Sequence, residues 1–506
     1  MRRARLWRTG PPPWLREAAR QTTRHRWFAA LLAVGTALRA AAMLGYRPAL
    51  WFPDTYTYVV TAMRPRPDLV RPAGYSMFLR LLEPLHSFAA VAFVQHLLGL
   101  ATGALVYLTA RRLRAPAWAA ALACAPVLLD AYQIELEHLL VSDTLFMFLV
   151  TAAVCLALAG GPGPRTAGAI GLLLAAATLT RTVGLPLIAV LAVWLLLRRP
   201  SGRGAAECGE RESGRRARAV RAGVMLAAAA IPILAYGGWF YATYQRVGIV
   251  GANGVFLYAR TMAFADCARM APPPDLAVLC DPRPPHRRPP SQDYIWSADS
   301  PLVRLPGITF TREADSLAGR FAVLAVTSQP VDYAGAVLTE LARTFTWDRP
   351  VYPDADIYGR YEFPSRPQPS PDREPALLGV ELARVYEEGD IETRIVEPFA
   401  GWMRAYQDVA RLPGTLLLAV LLVPLAATAV RRRAPRGGAR GPGGRGLAAW
   451  ALPWTVAWTL LVTPAAVAEF DYRYVLPAVP LACLAAAVSV RGLTPGLGCG
   501  RRTPAR

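Results

Sequence analysis

The stretch FAALLAVGTALRAAAMLGYRPALWFPDTYTYVV, residues 28–60, contains the two features that decide the fold. Residues 28–46 are almost all apolar or small, and about 20 such residues are what an α-helix needs to cross the roughly 30 Å hydrocarbon core of a bilayer. The chain then places one carboxylate, Asp54, beside Trp51 and Phe52. The stretch therefore predicts a membrane-spanning helix that leads into an acidic loop at the membrane boundary.

Similar apolar runs recur along the 506-residue chain, which is 54% hydrophobic and has a mean hydropathy of +0.27. Runs of this length are typical of proteins that cross the membrane several times. We predict ten spans, at about 28–46, 88–110, 115–132, 142–160, 166–180, 183–198, 222–243, 411–430, 446–463 and 474–490. The predicted fold class is an all-α integral membrane protein, although the pair at 166–198 could also be one broken helix.

The formal net charge of +21 is carried by arginine, because the chain contains no lysine. The arginines crowd both tails and the loops 111–114, 198–221 and 431–445, which all fall on one side of a ten-span topology. The positive-inside rule makes this side the cytoplasm, with both termini inside. The charge therefore indicates topology and contact with anionic lipid headgroups rather than nucleic acid. The missing lysine excludes phosphate-loop and Schiff-base chemistry.

The predicted spans divide the chain into five segments: a cytoplasmic tail at 1–27, a transmembrane module at 28–243, an extracytoplasmic insert at 244–410, transmembrane helices at 411–490 and a cytoplasmic tail at 491–506. The insert begins with a proline-rich loop and continues with mostly helical patterns.

The first outer loop, residues 47–87, contains a helical pattern at 73–86. Its apolar stripe suits a helix that lies along the membrane surface. The stripe comprises Tyr75, Phe78, Leu79, Leu82 and Leu85.

Two cysteines, Cys267 and Cys280, are the only pair predicted outside the membrane and the cytoplasm. An oxidising compartment permits a disulfide between them, and we predict one. No metal site is predicted, because the five histidines are scattered and no cysteine cluster has ligand spacing.

Asp54 has two compatible interpretations. An aspartate that follows Pro53 and precedes a helical run is a good N-cap, which contributes about 0.5–2 kcal/mol. The same carboxylate could be a general base at the outer face of the membrane.

Five ionisable residues cluster in DAYQIELEHLLVSD, residues 130–143. This segment is predicted as a short outer loop, and exposure of that loop to water would account for its polarity. Alternatively, the two acidic outer loops share a cavity in which ionisable groups are functional candidates. The five residues are Asp130, Glu135, Glu137, His138 and Asp143.

Arg181, in TLTRTVGLP, and Arg473, in EFDYRYVLPAVP, stand at the edges of apolar runs. Each could extend its guanidinium to the lipid headgroups. Each could instead bind a phosphate through a forked pair of hydrogen bonds, which we favour for Arg473. Arg39, inside the first span, is predicted either to reach the headgroups or to face a cavity.

Several stretches together resemble the GT-C-fold glycosyltransferases that use polyprenyl-phosphate donors, including protein O-mannosyltransferases and the lipid A aminoarabinose transferase. The similar pieces are FPDTYTYV (52–59), RPAGYSMFLRLL (71–82), EHLLVSDTLFMFLV (137–150), LTRTVGLPL (179–187) and YRYVLPAVP (472–480). They cover the first 200 residues and the last two spans, and their order carries the resemblance.

The resemblance implies transfer of a sugar, with inversion, from a polyprenyl phosphate to an acceptor hydroxyl on a glycan, lipid or protein, outside the cytoplasm. It implies that Asp54 is the general base, and that substrate is bound by Arg71, Tyr75, Glu135, Glu137, His138, Asp143, Arg181, Arg473 and Tyr474. No cofactor is implied with certainty, and dependence on a divalent cation stays open because Asp54 lacks an adjacent acidic partner.

Two other functional classes fit the same composition. A transporter or flippase for lipid-linked saccharides would share the spans and arginines, but it usually shows internal repeats, and none is evident. An accessory membrane scaffold of envelope assembly would tolerate Asp54→Asn, whereas a transferase would not.

Overall fold

The structure is a computed structural model that describes residues 25–159, 163–198, 208–371, 374–433 and 448–491. The described residues are mostly helical, so the prediction of an all-α fold is confirmed. The C-terminal tail, nearly all of the N-terminal tail and the loop 434–447 lie outside the described residues.

The N-terminal module contains helices α1 to α10. Their bounds are α1 Arg26–Gly45, α2 Pro53–Met63, α3 Gly74–Leu82, α4 Phe88–Arg112, α5 Ala117–Leu129, α6 Ala131–His138, α7 Asp143–Leu158, α8 Pro164–Thr180, α9 Leu185–Leu197 and α10 Cys208–Tyr244.

The insert and the C-terminal region contain the remaining helices. They are α11 Asn253–Thr261, α12 Cys267–Met270, α13 Pro274–Ala277, α14 Asp293–Trp296, α15 Arg312–Ser328, α16 Pro330–Arg343, α17 Ala355–Gly359, α18 Glu374–Glu387, α19 Phe399–Gln407, α20 Gly414–Arg433, α21 Ala451–Val467, α22 Tyr472–Val475 and α23 Val479–Ser489. Two short strands, β1 Tyr46–Arg47 and β2 Arg394–Ile395, pair antiparallel and join the first outer loop to the end of the insert.

Each of the ten predicted spans forms a helix near the expected position, but not all are long enough to cross a bilayer. Among the described residues, five helices pass by length and composition, or up to seven if two bent pairs count as single spans. Helices α5, α7, α8, α9 and α21 have only 13–17 residues each. The sequence pattern detects apolar runs and does not reveal where the helices break or bend.

One break overturns a prediction. Residues 131–138 were predicted as part of an outer loop, yet they form helix α6, which is buried along its whole length. Pro126 lies inside α5, and Asp130 ends that helix and caps α6 by accepting hydrogen bonds from two backbone N–H groups. The chain therefore bends by 49° and continues as helix, instead of leaving the protein interior.

Small residues let the helices of the module approach closely. A Cβ at Gly171 of α8 would collide with the backbone carbonyl of Met225 on α10, and one at Gly99 of α4 would collide with the Glu137 carboxylate. Alanine-rich faces of α5, α7, α8 and α23 complete the core.

Cys267 and Cys280 are joined by a disulfide, with Cα atoms 6.1 Å apart. The bond ties α12 to the end of α13 beside the apolar core of the insert. We expect both thiols of the unreduced protein to resist a membrane-impermeant maleimide. A cross-link that closes a loop of about 14 residues contributes about 3 kcal/mol on the chain-entropy model. Dithiothreitol should therefore lower the melting temperature of the parent.

The matched control is Cys267→Ser/Cys280→Ser, whose melting temperature should not respond to dithiothreitol. Maleimide labelling of both cysteines without reductant would contradict the disulfide.

Candidate functional site

A cavity of about 750 Å³ lies where the first outer loop, the ends of α8 and α21, the insert and helix α22 meet. Four other predicted site residues line it together with Asp54: Arg71, Arg181, Arg473 and Tyr474. Its wall therefore combines residues far apart in sequence, and the site is built from at least four separate segments.

Asp54 is not the N-cap of its helix. Helix α2 begins at Pro53, so Asp54 occupies the second helical position and Phe52 is the cap residue. The hydroxyl of Thr55 accepts a hydrogen bond from the Phe52 N–H at 3.1 Å and so satisfies the helix start in place of Asp54. The N-cap interpretation is wrong, and the carboxylate is left free to point into the cavity.

The segment before Asp54 is fixed by its backbone. Leu50 exchanges hydrogen bonds with the chain after α6, donating to the His138 carbonyl and accepting from the Leu140 N–H, both at 3.1 Å. The Thr55 hydroxyl donates to the Leu140 carbonyl at 2.8 Å. Trp51 donates from its indole to the Ile391 carbonyl of the insert at 2.9 Å. The carboxylate is therefore presented from a rigid position between the module and the insert.

Asp54 lies between two guanidinium groups. Its Oδ1 accepts from Arg71, and its Oδ2 accepts from Nη2 of Arg473 at 3.0 Å. Arg473 also donates from Nε to Asp471 at 3.0 Å, and Asp471 accepts from the Tyr361 hydroxyl at 2.9 Å. We call this chain of contacts, which comprises Arg71, Asp54, Arg473, Asp471 and Tyr361, the Asp54 network.

The Asp54 network controls the protonation of its central carboxylate. Burial by itself would raise the pKa of Asp54, but the charges of Arg71 and Arg473 outweigh burial and hold that pKa well below its usual value. At neutral pH Asp54 is therefore ionised. As long as both arginines remain paired with it, it is a weaker base than a free aspartate.

A second ion pair lies beside the Asp54 network. Arg181 donates to Asp143, which is fully buried at the start of α7. The guanidinium of Arg181 also lies 4.6 Å from the ring centre of Tyr474, and that of Arg473 lies 5.4 Å from the same ring. Tyr474 therefore separates two arginines and keeps both at the cavity wall.

The insert and the segment between α21 and α22 supply an acidic wall that sequence analysis did not detect. Asp293, Asp354, Asp356 and Glu469 line the cavity, and none belongs to a motif with recognisable spacing. Glu469 accepts hydrogen bonds from the Gln292 backbone at 3.2 Å and the Tyr352 hydroxyl at 3.4 Å. The cavity thus combines the ion pairs around Asp54 with a second set of carboxyl groups from the insert and from the segment after α21.

Burial raises the pKa of Glu469 to about 8, above the value of 4.5 for a free glutamate. The folded protein therefore binds the proton of the Glu469 carboxyl group more tightly than the unfolded chain does. Its contribution to stability is present below pH of about 4.5 and is lost as the pH rises toward about 8. We expect Glu469→Gln, which cannot ionise, to flatten the fall in melting temperature between about pH 5 and pH 8. The same pH slope in parent and variant would show that Glu469 is charged in the fold.

Five predicted site residues lie outside the cavity wall: Tyr75, Glu135, Glu137, His138 and Asp143, the last of which is paired with Arg181. Tyr75 is fully buried and donates its hydroxyl to Gln95 at 2.7 Å. Glu135 is also buried, and neither of its carboxylate oxygens has a hydrogen-bond partner. The expectation that Glu135, Glu137 and His138 line the cavity is wrong, because α6 turns into the helical core instead of forming a loop. Tyr75 instead packs into an apolar core cluster from α3.

Glu137 forms a buried pair with Arg39 of α1, with two N–O distances of 2.7 Å. His96 lies 3.0 Å from the same carboxylate and 3.0 Å from His138, whose Nε2 donates to the Tyr46 carbonyl at 2.7 Å. Arg39 therefore neither reaches the headgroups nor lines the cavity, and both alternatives predicted for it are wrong. The cluster joins α1, α4 and α6 just behind the segment that holds Asp54.

The stripe predicted on α3 faces mainly inward. Tyr75 and Leu79 are fully buried, and the Tyr386 hydroxyl of α18 donates to the Leu79 carbonyl at 2.8 Å. Leu81 and Leu85 are the exposed apolar residues, at 76% and 58%. The stripe packs against α2 and α18, so the expectation that it lies on the membrane surface is wrong for Tyr75 and Leu79.

No group of three histidine, cysteine, aspartate or glutamate residues in the described part of the chain has metal-binding geometry. Both oxygens of Asp54 are engaged by arginines. The charged contacts at the site are the ion pairs that Asp54 forms with Arg71 and Arg473 and the pair of Arg181 with Asp143.

No protein-family model matches the chain, and no curated protein matches its sequence. Two solved structures are similar in fold. The S. cerevisiae protein O-mannosyltransferase Pmt1-Pmt2 complex bound to the sugar donor shares 18% identity, with a TM-score of 0.34, over 42% of this chain and 34% of that chain. ArnT from Cupriavidus metallidurans bound to undecaprenyl phosphate shares 14% identity, with a TM-score of 0.32, over 92% of this chain and 77% of that chain.

The match to the O-mannosyltransferase thus spans about a third of that chain's length. Both structures belong to the GT-C class that the sequence resembles.

Proposed function

We propose that this chain is a membrane glycosyltransferase that moves a sugar from a polyprenyl-phosphate donor to an acceptor hydroxyl, with Asp54 as the general base. The observation that supports this most is the position of Asp54 in the cavity, held between Arg71 and Arg473. A carboxylate next to two guanidinium groups combines a proton acceptor with phosphate-binding groups in one place.

The three cavity arginines would bind the donor phosphate. Arg71, Arg181 and Arg473 each have a carboxylate partner, so the charges within these ion pairs cancel. A donor phosphodiester brings one further negative charge, which guanidinium groups bind through forked, charge-assisted hydrogen bonds. Arg473 is the best placed, because it already reaches both Asp54 and Asp471 and lies against the rings of Phe52 and Tyr474.

The reaction would be a single displacement. The acceptor oxygen forms a bond to the anomeric carbon, the bond from that carbon to the phosphate oxygen breaks, and the electron pair leaves with the polyprenyl phosphate. The acceptor proton passes to Asp54. Attack from the face opposite the leaving group inverts the anomeric configuration, and no general acid is needed because the leaving phosphate is a stable anion.

The low pKa of Asp54 is compatible with this role, because the arginines can change partners during the reaction. Charge grows on the departing phosphate while the carboxylate loses charge by taking up the proton. A guanidinium that moves its hydrogen bond from Asp54 to the phosphate would stabilise the negative charge that grows on the phosphate. The same move would raise the pKa of Asp54 and so favour its protonation. The arginine pairs would thus restrain Asp54 until a donor phosphate is bound.

The arginine distribution supports a cytoplasmic position for both termini and an extracytoplasmic active site. The acceptor would be a hydroxyl of a glycan, lipid or protein, with the bilayer holding the polyprenyl chain. A reporter fused near Pro350 should give an outside signal, and an inside signal would contradict this orientation.

The proposed activity is tested with purified chain in proteoliposomes, a panel of hexose and pentose polyprenyl phosphates, and a glycan, lipid or peptide that supplies the acceptor hydroxyl. We expect one donor to be consumed, with polyprenyl phosphate and an inverted glycoside detected by mass spectrometry and by NMR of the anomeric proton. Movement of an intact donor across the bilayer without cleavage would instead support a flippase.

A further inference from the structure

Helix α16 (Pro330–Arg343) has its polar and apolar faces reversed relative to a helix in water. Most of its exposed positions are apolar and lie along one stripe with helical spacing, in which Val331 and Leu338 are 81% and 64% exposed. Thr339 is an exposed polar residue beside this stripe. The complete stripe comprises Val331, Ala334, Gly335, Leu338 and Ala342.

The face of α16 that turns inward carries polar groups. Glu340 is buried and accepts a hydrogen bond from the Phe470 N–H at 2.8 Å. Tyr333 donates its hydroxyl to the Ala466 carbonyl at 3.1 Å. A helix in water buries its apolar stripe, whereas this one buries Glu340, half-buries Tyr333 and exposes valine and leucine.

The stripe is continuous with apolar helices of the C-terminal region. Tyr333 contacts α21 at Ala466, and Phe345, just past the end of α16, lies 5.9 Å from Trp458 of the same helix. These contacts are about 18 Å apart along α16 and about 12 Å apart along α21, at 1.5 Å per residue. The two helices therefore run side by side for more than two turns.

The end of α16 also meets α20, one of the five helices long enough to cross a bilayer. A Cβ at Gly414 would collide with the Thr344 carbonyl, so the two backbones are in close contact there. Exposed leucines continue along α20 at Leu416 and Leu422. Helices α15 and α16 together have the apolar content of a span, but a bend of 102° at Gln329 separates them.

We propose that α16 is embedded in the membrane and that its stripe contacts lipid acyl chains. The insert is then attached to the bilayer by its own helix, in addition to the spans that flank it. Since α15 packs against α11, whose residues line the cavity, α16 would fix the cavity wall relative to the membrane. This inference goes beyond the proposed function and does not depend on it.

The test is nitroxide accessibility in proteoliposomes of phosphatidylethanolamine and phosphatidylglycerol. Single labels are placed at Leu338→Cys, at Leu422→Cys on α20 as the lipid-facing control, and at Arg320→Cys on the exposed face of α15 as the water-facing control. The cysteines outside the disulfide are replaced beforehand. We expect the label at 338 to match that at 422, with high collision rates for oxygen and low rates for a water-soluble nickel chelate.

A label at 338 that behaves like the one at 320 would overturn the proposal, because the stripe would then face water. Protection from both reagents would overturn it in favour of a second copy or another protein on the stripe. Val331→Cys and Ala342→Cys repeat the measurement at the two ends of α16, so the result does not depend on the folding of one variant.

Discussion

Asp54→Asn should lower turnover by about 10²–10⁴-fold, the usual contribution of general acid–base catalysis. An asparagine at this position can still accept a hydrogen bond from one arginine, but it cannot take the acceptor's proton. Donor affinity should be no weaker than in the parent, because Arg71 and Arg473 lose the carboxylate that competes with the phosphate. Single-turnover kinetics and donor titration measure the two effects separately.

The matched control is Asp68→Asn, in the same loop. Asp68 accepts hydrogen bonds from the backbone of Val70 and Arg71 through one oxygen, and an amide oxygen can do the same. Its turnover should equal that of the parent. If Asp54→Asn turned over like Asp68→Asn, Asp54 would not be the base, and Asp471 or Asp143 would be the next candidate.

Arg473→Lys should weaken donor binding by about 10- to 100-fold, because one charge-assisted hydrogen bond of about 1.5–3 kcal/mol is lost and each 1.4 kcal/mol is a factor of ten. Arg473 donates through Nε to Asp471 and through Nη2 to Asp54, whereas a lysine ammonium is a single point of charge. The measurement is the dissociation constant of the donor with protein in nanodiscs.

Arg320→Lys is the matched control, since Arg320 forms an exposed ion pair with Asp275 on the insert. Its donor affinity and melting temperature should not change. Unchanged donor affinity in Arg473→Lys, in a protein that elutes as the parent does, would show that Arg473 is only a structural partner of Asp471.

Much of the module could be predicted from sequence because long apolar runs in a chain of this composition nearly always form helices in or beside the membrane. The breaks could not be predicted. Pro126 lies inside α5 and Asp130 ends it, and the chain then continues as the buried helix α6, whose acids resemble a polar loop in the sequence. The charge that compensates Glu137 is Arg39, 98 residues earlier, and no local pattern links the two.

The sequence allowed those residues of the candidate site to be predicted that lie at the ends of apolar runs. Asp54, Arg181 and Arg473 each follow or precede an apolar run, and such ends meet at one membrane boundary. Their pairing was not predictable, because Asp54 and Arg473 are 419 residues apart. The acidic wall comes from short helices and loops of the insert and from the segment after α21, where Asp354, Asp356 and Glu469 belong to no periodic pattern.

The central claim is that the donor phosphate binds in the cavity against the Asp54 network. The most direct measurement is a cryo-electron microscopy structure of Asp54→Asn with its bound polyprenyl-phosphate donor, since this variant should consume the donor about 10²–10⁴-fold more slowly than the parent. The account predicts that the phosphate oxygens lie within hydrogen-bond distance of Arg473 and of Arg71 or Arg181, with the anomeric carbon facing residue 54. A phosphate bound elsewhere, with Arg473 still paired only to Asp471, would contradict it.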